Sequence, residues 1–303
     1  MSSIQLTPVE PRSPGITEIP AVLLPHLKQR YAQRAARLRQ LAEGHAMADY
    51  LSFAANVAAA QQRVLDEQPL PAACINDLAG RLGRAQPPLA YHDYPRDPYW
   101  QALLEQLIDL LTAEATPAVR TALETLRTQT PGQREQQASA LLAGDYAAVD
   151  SGQAVFLWAA LSLYFTQLAA HLPASAKALP GEARQHCPVC ASAPVASVIM
   201  TGAQAGLRYL QCGLCESRWH MVRLKCSNCE ATGALDYWSL ENKEAPIKAE
   251  SCDDCQSYLK VFYPERDRDL ELVADDLASL GLDAELEREG FGRSALNPFL
   301  FPG

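Results

Sequence analysis

The sequence predicts an α+β multidomain protein: an N-terminal all-α helical domain, two tandem four-cysteine modules, and a C-terminal helix. Three observations predict it. Eight of nine cysteines fall between Cys187 and Cys255 as four C-x-x-C pairs. The stretch before them has helical apolar spacing and no such pair. The length, 303 residues with 48% apolar and 20% charged, suits about two folded domains that can each bury a core.

Residues 1–24 carry Glu10, Glu18 and the prolines Pro8, Pro11, Pro14 and Pro20, and read as an extended tail. They show no basic start followed by an apolar run, so no export signal is expected. A cytoplasmic location follows, where thiols stay reduced and paired cysteines are metal ligands before they are disulfides.

Residues 25–172 form the helical domain. Residues 26–67 are rich in Ala, Leu, Gln and Arg and break near Gly44-His45, so one long helix or two abutting ones are expected. Lys28, Arg30, Arg34, Arg37 and Arg39 lie in it, with Arg30, Arg34 and Arg37 on one face. That face reads as solvated, with docking of an acidic surface as the alternative. Cys74 sits in an apolar context as a small hydrophobe. In the aromatic run from Tyr91 to Trp100, Asp97-Pro98 suits the start of a helix whose stripe is Trp100, Leu103, Leu104, Leu107 and Leu111. His92, Tyr94 and Arg96 are candidates for partner contact. Ser151–Ala176 carries no formal charge, and Ala154–Leu172 approaches membrane-span length. Gln153, Ser162, Tyr164, Thr166, Gln167 and His171 interrupt it, and its ends lack basic clusters, so it reads as a central core helix with no membrane insertion.

Residues 173–183 form a linker, and the cysteine modules follow at 184–224 and 225–264. The gaps between successive pairs are 21, 10 and 22 residues, and the two long gaps match the knuckle-to-knuckle distance of a ribbon site. Cys187 to Cys226 is an offset of 39 and Cys212 to Cys252 one of 40, the mark of a duplicated unit. The first site is therefore Cys187, Cys190, Cys212 and Cys215, and the second Cys226, Cys229, Cys252 and Cys255. Two residues between cysteines let both sulfurs of a pair face one point, and two pairs complete a tetrahedron that suits zinc or iron. The modules are thus rubredoxin-like or zinc-ribbon-like. The residues after the second cysteine of each pair, Ala191, Glu216, Glu230 and Gln256, are not the glycines that a left-handed turn favours, which counts against a strict rubredoxin match. Short strands are expected at 207–210, 219–224, 235–240 and 258–262. Four sulfurs leave no coordination position for substrate, so a closed site is first a fold staple, with redox or metal sensing as the alternative duty.

Residues 265–303 hold an acidic helix and tail. Between Glu265 and Gly290 there are ten acids against three arginines, a large share of a net charge of -9. A helix from Asp267 to Leu280 is expected, stopped by Gly281. The apolar tail Asn297–Gly303 is left open between packing on the body and serving a partner. Residues 182–265 hold eight basic and ten acidic residues, which disfavours a nucleic-acid-binding tandem zinc ribbon. There is no phosphate loop, dinucleotide glycine pattern, metalloprotease helix or nucleophile elbow, so no catalytic residue is proposed and the chain reads as a binding protein rather than an enzyme.

The helical domain, His186-Cys187-Pro188-Val189-Cys190, Leu207–Cys215, Trp219–Cys229 and Ala249–Lys260, taken in that order, resemble the FdhE family of formate dehydrogenase accessory proteins over nearly the whole chain. The resemblance implies a cytoplasmic, non-catalytic factor that binds the molybdenum-containing catalytic subunit of formate dehydrogenase before its folded export by the twin-arginine route. It also implies rubredoxin-like sites associated with iron at the eight knuckle cysteines, with zinc the other ion that fits. A one-electron carrier acting on the client's cofactors is the rival reading. A homodimer is compatible with the residues and not demanded by them.

Overall fold

This computed structural model describes residues 19–76, 78–178, 185–240 and 242–302; the predicted tail as far as residue 18 and linker residues 179–183 lie outside them. The architecture is the mixed one expected, a helical bundle set against a sheet.

The first helices are α1 (Arg30–Ala42) and α2 (Ala48–Glu67), parted where Gly44 turns with φ +70. Glycine is favoured there because a side chain would meet its own backbone. After the short α3 (Ala72–Ile75), α4 (Tyr99–Thr112) buries Trp100, Leu103, Leu104, Leu107, Ile108 and Leu111. It begins at Tyr99, whose N–H donates to Asp97 Oδ1, and the Trp100 indole N–H donates to Glu135. Both α5 (Pro117–Thr128) and α6 (Pro131–Leu142) start with Thr-Pro. The Thr116 and Thr130 hydroxyls accept the orphan N–H groups of Val119 and Gln133, and the Gln133 side chain returns a bond to Thr130.

Helix α7 (Ser151–Ala170) is long and apolar enough to cross a membrane, but 83% of its most apolar window is buried inside the protein, against α2, α4, α5 and α6. A helix apolar all round belongs in a core. Its polar groups have partners there: the Tyr31 hydroxyl lies 3.3 Å from the Ser162 and Thr166 hydroxyls, and Tyr164 accepts the Asp97 N–H.

The sheet has the order β1 (Val22–Leu23), β4 (Arg218–His220), β3 (Arg208–Cys212), β2 (Pro194–Ile199), β7 (Ser257–Phe262), β6 (Ile247–Cys252) and β5 (Leu235–Trp238), with β8 (Gly292–Arg293) on β7. Each cysteine module supplies a three-stranded antiparallel meander. The meanders join in parallel at β2 and β7, Ser197 opposite Val261 and Val198 opposite Phe262. Strand β1, from the region read as tail, adds Val22 and Leu23 opposite Trp219 and Arg218.

The expected single helix over 267–280 is two. Helix α8 (Leu272–Ala278) starts where Glu271 accepts the Ala274 N–H, and α9 (Leu280–Arg288) runs through Gly281 instead of stopping there. The break lies at Ser279, where the Lys260 ammonium also donates to the carbonyls of Asp276 and Ser279 and to the Ser279 hydroxyl. The tail packs on the body: Asn297 donates to the Val273 carbonyl, the Tyr50 hydroxyl donates to the Phe299 carbonyl, and Phe301 lies against Tyr146 and Trp158.

Candidate metal centre

Each knuckle is a tight turn, the second and fourth beginning at the ends of β3 and β6. In the first, Ala191 N–H donates to the Cys187 carbonyl and Cys187 N–H to the Ser192 carbonyl; in the third, Glu230 N–H donates to the Cys226 carbonyl and Cys226 N–H to the Ala231 carbonyl. Residues after the second cysteine must turn left-handed, and all four do: Ala191 (φ 66), Glu216 (φ 59), Glu230 (φ 63) and Gln256 (φ 51). The glycine-free sequence therefore still makes the left-handed turn at all four knuckles. A non-glycine residue in this region costs on the order of 1–2 kcal/mol, so something holds each one there.

For three of them a side-chain tie is present. Glu216 is buried and paired to Arg34 at 2.9 Å, with Gln211 donating to it at 2.9 Å. Glu230 pairs with Lys225, and Gln256 donates to the Asp253 carbonyl at 2.6 Å. Arg34 also reaches Glu271 at 2.9 Å, and Arg37 holds Asp267 and Asp275, both at 2.7 Å. The basic face of α1 is therefore not solvated. It docks the acidic segment of its own chain.

The sulfurs of Cys187, Cys190, Cys212 and Cys215 lie within 4.8 Å of one another, as do those of Cys226, Cys229, Cys252 and Cys255. Contacts between knuckles run from 3.4 Å (Cys190 to Cys212) to 3.8 Å (Cys226 to Cys255). Four sulfurs at metal–sulfur bond length around one ion would stand about 3.8 Å apart, so both donor sets fit a tetrahedral cation. The N–H groups of Leu214 and Cys215 point at Cys212 Sγ, both at 3.3 Å, and those of Asn228 and Cys229 at Cys226 Sγ. Such donors favour thiolate. Burial pushes the Cys187 and Cys190 thiols well above their usual range; at Cys215 burial acts the same way, but hydrogen bonds from the neighbouring thiols and Ser217 hold it well below. A central cation is the general way to hold four sulfurs as thiolates in so buried a place.

The sites differ in exposure. All four sulfur residues of the first are buried within the main hydrophobic core, whereas in the second Cys229 is exposed and Cys255 half-exposed. Arg208 joins the modules, donating to Ser197, the Lys225 carbonyl and, at 2.7 Å, Glu250. Sequence reasoning passed over Arg34, Arg208, Glu216 and Lys260 as individual structural pins. Arg208 and Lys260 carry one signal, charge between apolar neighbours in a strand; Arg34 and Glu216 carry none of that kind.

Of the other residues singled out, Cys74 is buried outside both clusters. Tyr94 packs on Tyr164 and Phe165, Arg96 pairs with Glu135, and His92 lies 3.4 Å from Asp93 at the surface. His171 ends α7, its Nδ1 2.8 Å from the Gln167 carbonyl.

Fold and sites together define a thiolate-knuckle protein in which two four-sulfur clusters share one sheet and a helical body packs against it. Models of the FdhE N-terminal, central and C-terminal domains match residues 19–182, 186–223 and 224–300. The chain is 54% identical over 292 residues to an FdhE homolog of Edwardsiella ictaluri, covering 96% of this chain and 95% of that protein. It is 53% identical to the FdhE protein of Salmonella typhimurium, covering 94% and 92%. The crystal structure of the FdhE protein from Pseudomonas aeruginosa superposes with a TM-score of 0.85 at 40% identity, over 94% of this chain and all of that one. The chain belongs to the FdhE family.

Proposed function

We propose that this chain is a non-catalytic accessory factor for formate dehydrogenase, which grips the catalytic subunit in the cytoplasm before export. Family membership supports the client. The observation that carries the non-catalytic reading is closure: each cluster surrounds its centre with four sulfurs, which leaves an ion nowhere to bind substrate. In this reading Cys187, Cys190, Cys212 and Cys215 hold one ion and Cys226, Cys229, Cys252 and Cys255 another. The ions are iron, with zinc chemically suited to the same donors. When bound, each ion supplies the cross-link that fixes its two knuckles and, if iron, a one-electron couple. The chain's own residues orient the sulfurs, exclude water from the first site and pin it to α1 through Glu216 and Arg34.

The test is deletion of the gene, complementation with the intact chain, and co-purification with the catalytic subunit. Restored formate dehydrogenase activity and a stable complex are expected; activity that survives deletion would defeat the reading. A second reading, one-electron transfer, draws on the exposure of Cys229. It requires ferric-thiolate absorption that bleaches reversibly in anaerobically isolated protein, and a colourless zinc form with full biological activity would exclude it.

A further inference from the structure

Arg218, half-buried on β4, lines a cleft of about 220 Å3 with Val198, Met200, Phe262, Leu270 and Leu272. Thr201 and Arg218 are its polar lining. Arg218 Nε donates to Gln211 Oε1 at 2.8 Å, but its two terminal nitrogens make no hydrogen bond or ion pair among the described residues. Nearby acids are already engaged: Glu216 by Arg34 at 2.9 Å and Arg30 at 3.8 Å, Glu271 by Arg34 at 2.9 Å. Arg30 and Arg34 thus take both carboxylates, and Arg218 pairs with neither. Burial pulls the Arg218 guanidinium down to about 10, and Arg30 acts in the same direction against Glu216 and Glu271. Neither terminal nitrogen is a buried atom without a partner, so both stay open to solvent at the cleft, where an anion can reach them.

We propose that this cleft binds a carboxylate carried on a short apolar chain, the carboxylate lying across the terminal nitrogens of Arg218 and the chain entering between Phe262, Leu270 and Leu272. One fork of donors matches the two oxygens of a carboxylate. Apolar walls favour a hydrocarbon tail over a fully hydrated inorganic anion. The volume lies below the several hundred Å3 usual for larger ligands, so the occupant is a small acid or the end of a polypeptide. The site is separate from both sulfur clusters and from the accessory role proposed above.

The experiment titrates the full, metal-loaded chain calorimetrically with butyrate, N-acetyl-leucine and inorganic phosphate. Saturable binding of butyrate or N-acetyl-leucine is expected, with phosphate weaker. A tighter fit for butyrate indicates a free acid, and one for N-acetyl-leucine a polypeptide C-terminus. Arg218→Gln should weaken binding about tenfold or more, as loss of a charge-assisted bond does. Leu270→Trp, which fills the cleft and keeps the cation, should do the same and decides the matter if Arg218→Gln fails to fold. No binding of either carboxylate, phosphate binding as tightly as they do, or unchanged affinity in a folded variant overturns the proposal.

Discussion

At Ala191, Glu216, Glu230 and Gln256 the backbone adopts a conformation that glycine would take at no steric cost. The positions separate strain from compensation. Ala191 has no ionic side-chain tie, so Ala191→Gly should relieve the left-handed penalty and stabilise the metal-loaded protein by up to about 1 kcal/mol. Glu216→Gly relieves the same strain but leaves Arg34 with Glu271 as its one remaining ionic partner, and should destabilise by about 1–2 kcal/mol net. Thermal unfolding of the two variants beside the parent measures both; a Glu216→Gly protein as stable as Ala191→Gly would refute the pin. The cysteine spacing makes the knuckles legible in the sequence. The missing glycines misdirect, because intrinsic preference is a weak term beside turn hydrogen bonds and buried ion pairs, neither of which is visible in one dimension.

At the level of elements, α1 is clamped to the acidic segment by Arg34 with Glu271 and Arg37 with Asp267 and Asp275. The shared face of Arg30, Arg34 and Arg37 was readable, as was the excess of acid after Glu265, but not that each answers the other across more than 200 residues. Burial alone would raise the Glu271 and Asp276 carboxyls, yet Arg34 for the first, and Lys260 and Arg293 for the second, hold both below the usual range. Carboxyls depressed in the folded chain contribute stability above their unfolded pKa and lose it as pH falls through the folded one. Asp275 runs the other way, raised by burial in spite of Arg37, and offsets part of the loss. The melting temperature should therefore fall steeply once pH drops below about 4, and less steeply in Arg34→Met, which starts about 3 kcal/mol less stable because Glu271 loses its ionic partner and Glu216 keeps Arg30 alone, at 3.8 Å. Following the thiolate–metal absorption in the same scans separates this loss from metal release. Equal acid slopes for both proteins would rule the clamp out as the cause. The split of the C-terminal helix was equally hidden: Gly281 is a sound stop signal locally, yet the break falls at Ser279, where an ammonium arrives from β7.

Across the whole molecule, the duplicated period announces two modules, but not that β2 and β7 weld them into one sheet or that only one cluster enters the main core. Parallel pairing depends on contacts between segments about 60 residues apart, and periodicity carries no information on it. The asymmetry has a direct outcome. A chromophoric chelator should strip the second site first, in a phase that leaves the helical signal intact, and reach the first only as the protein unfolds. Cys229→Ser should keep one ion and a folded body, whereas Cys190→Ser should lose cooperative unfolding of the body as well. Simultaneous release of both ions would show that the two centres are equivalent. The order in which these parts are made matters too. Arg34 and Arg37 belong to α1, and their carboxylates at Glu271 and Asp275 follow 237 and 238 positions later. The nascent helical half therefore waits with naked cations in a future interior until the segment just beyond the last sulfur has been translated, which makes synthesis of that segment the event that licenses the finished body.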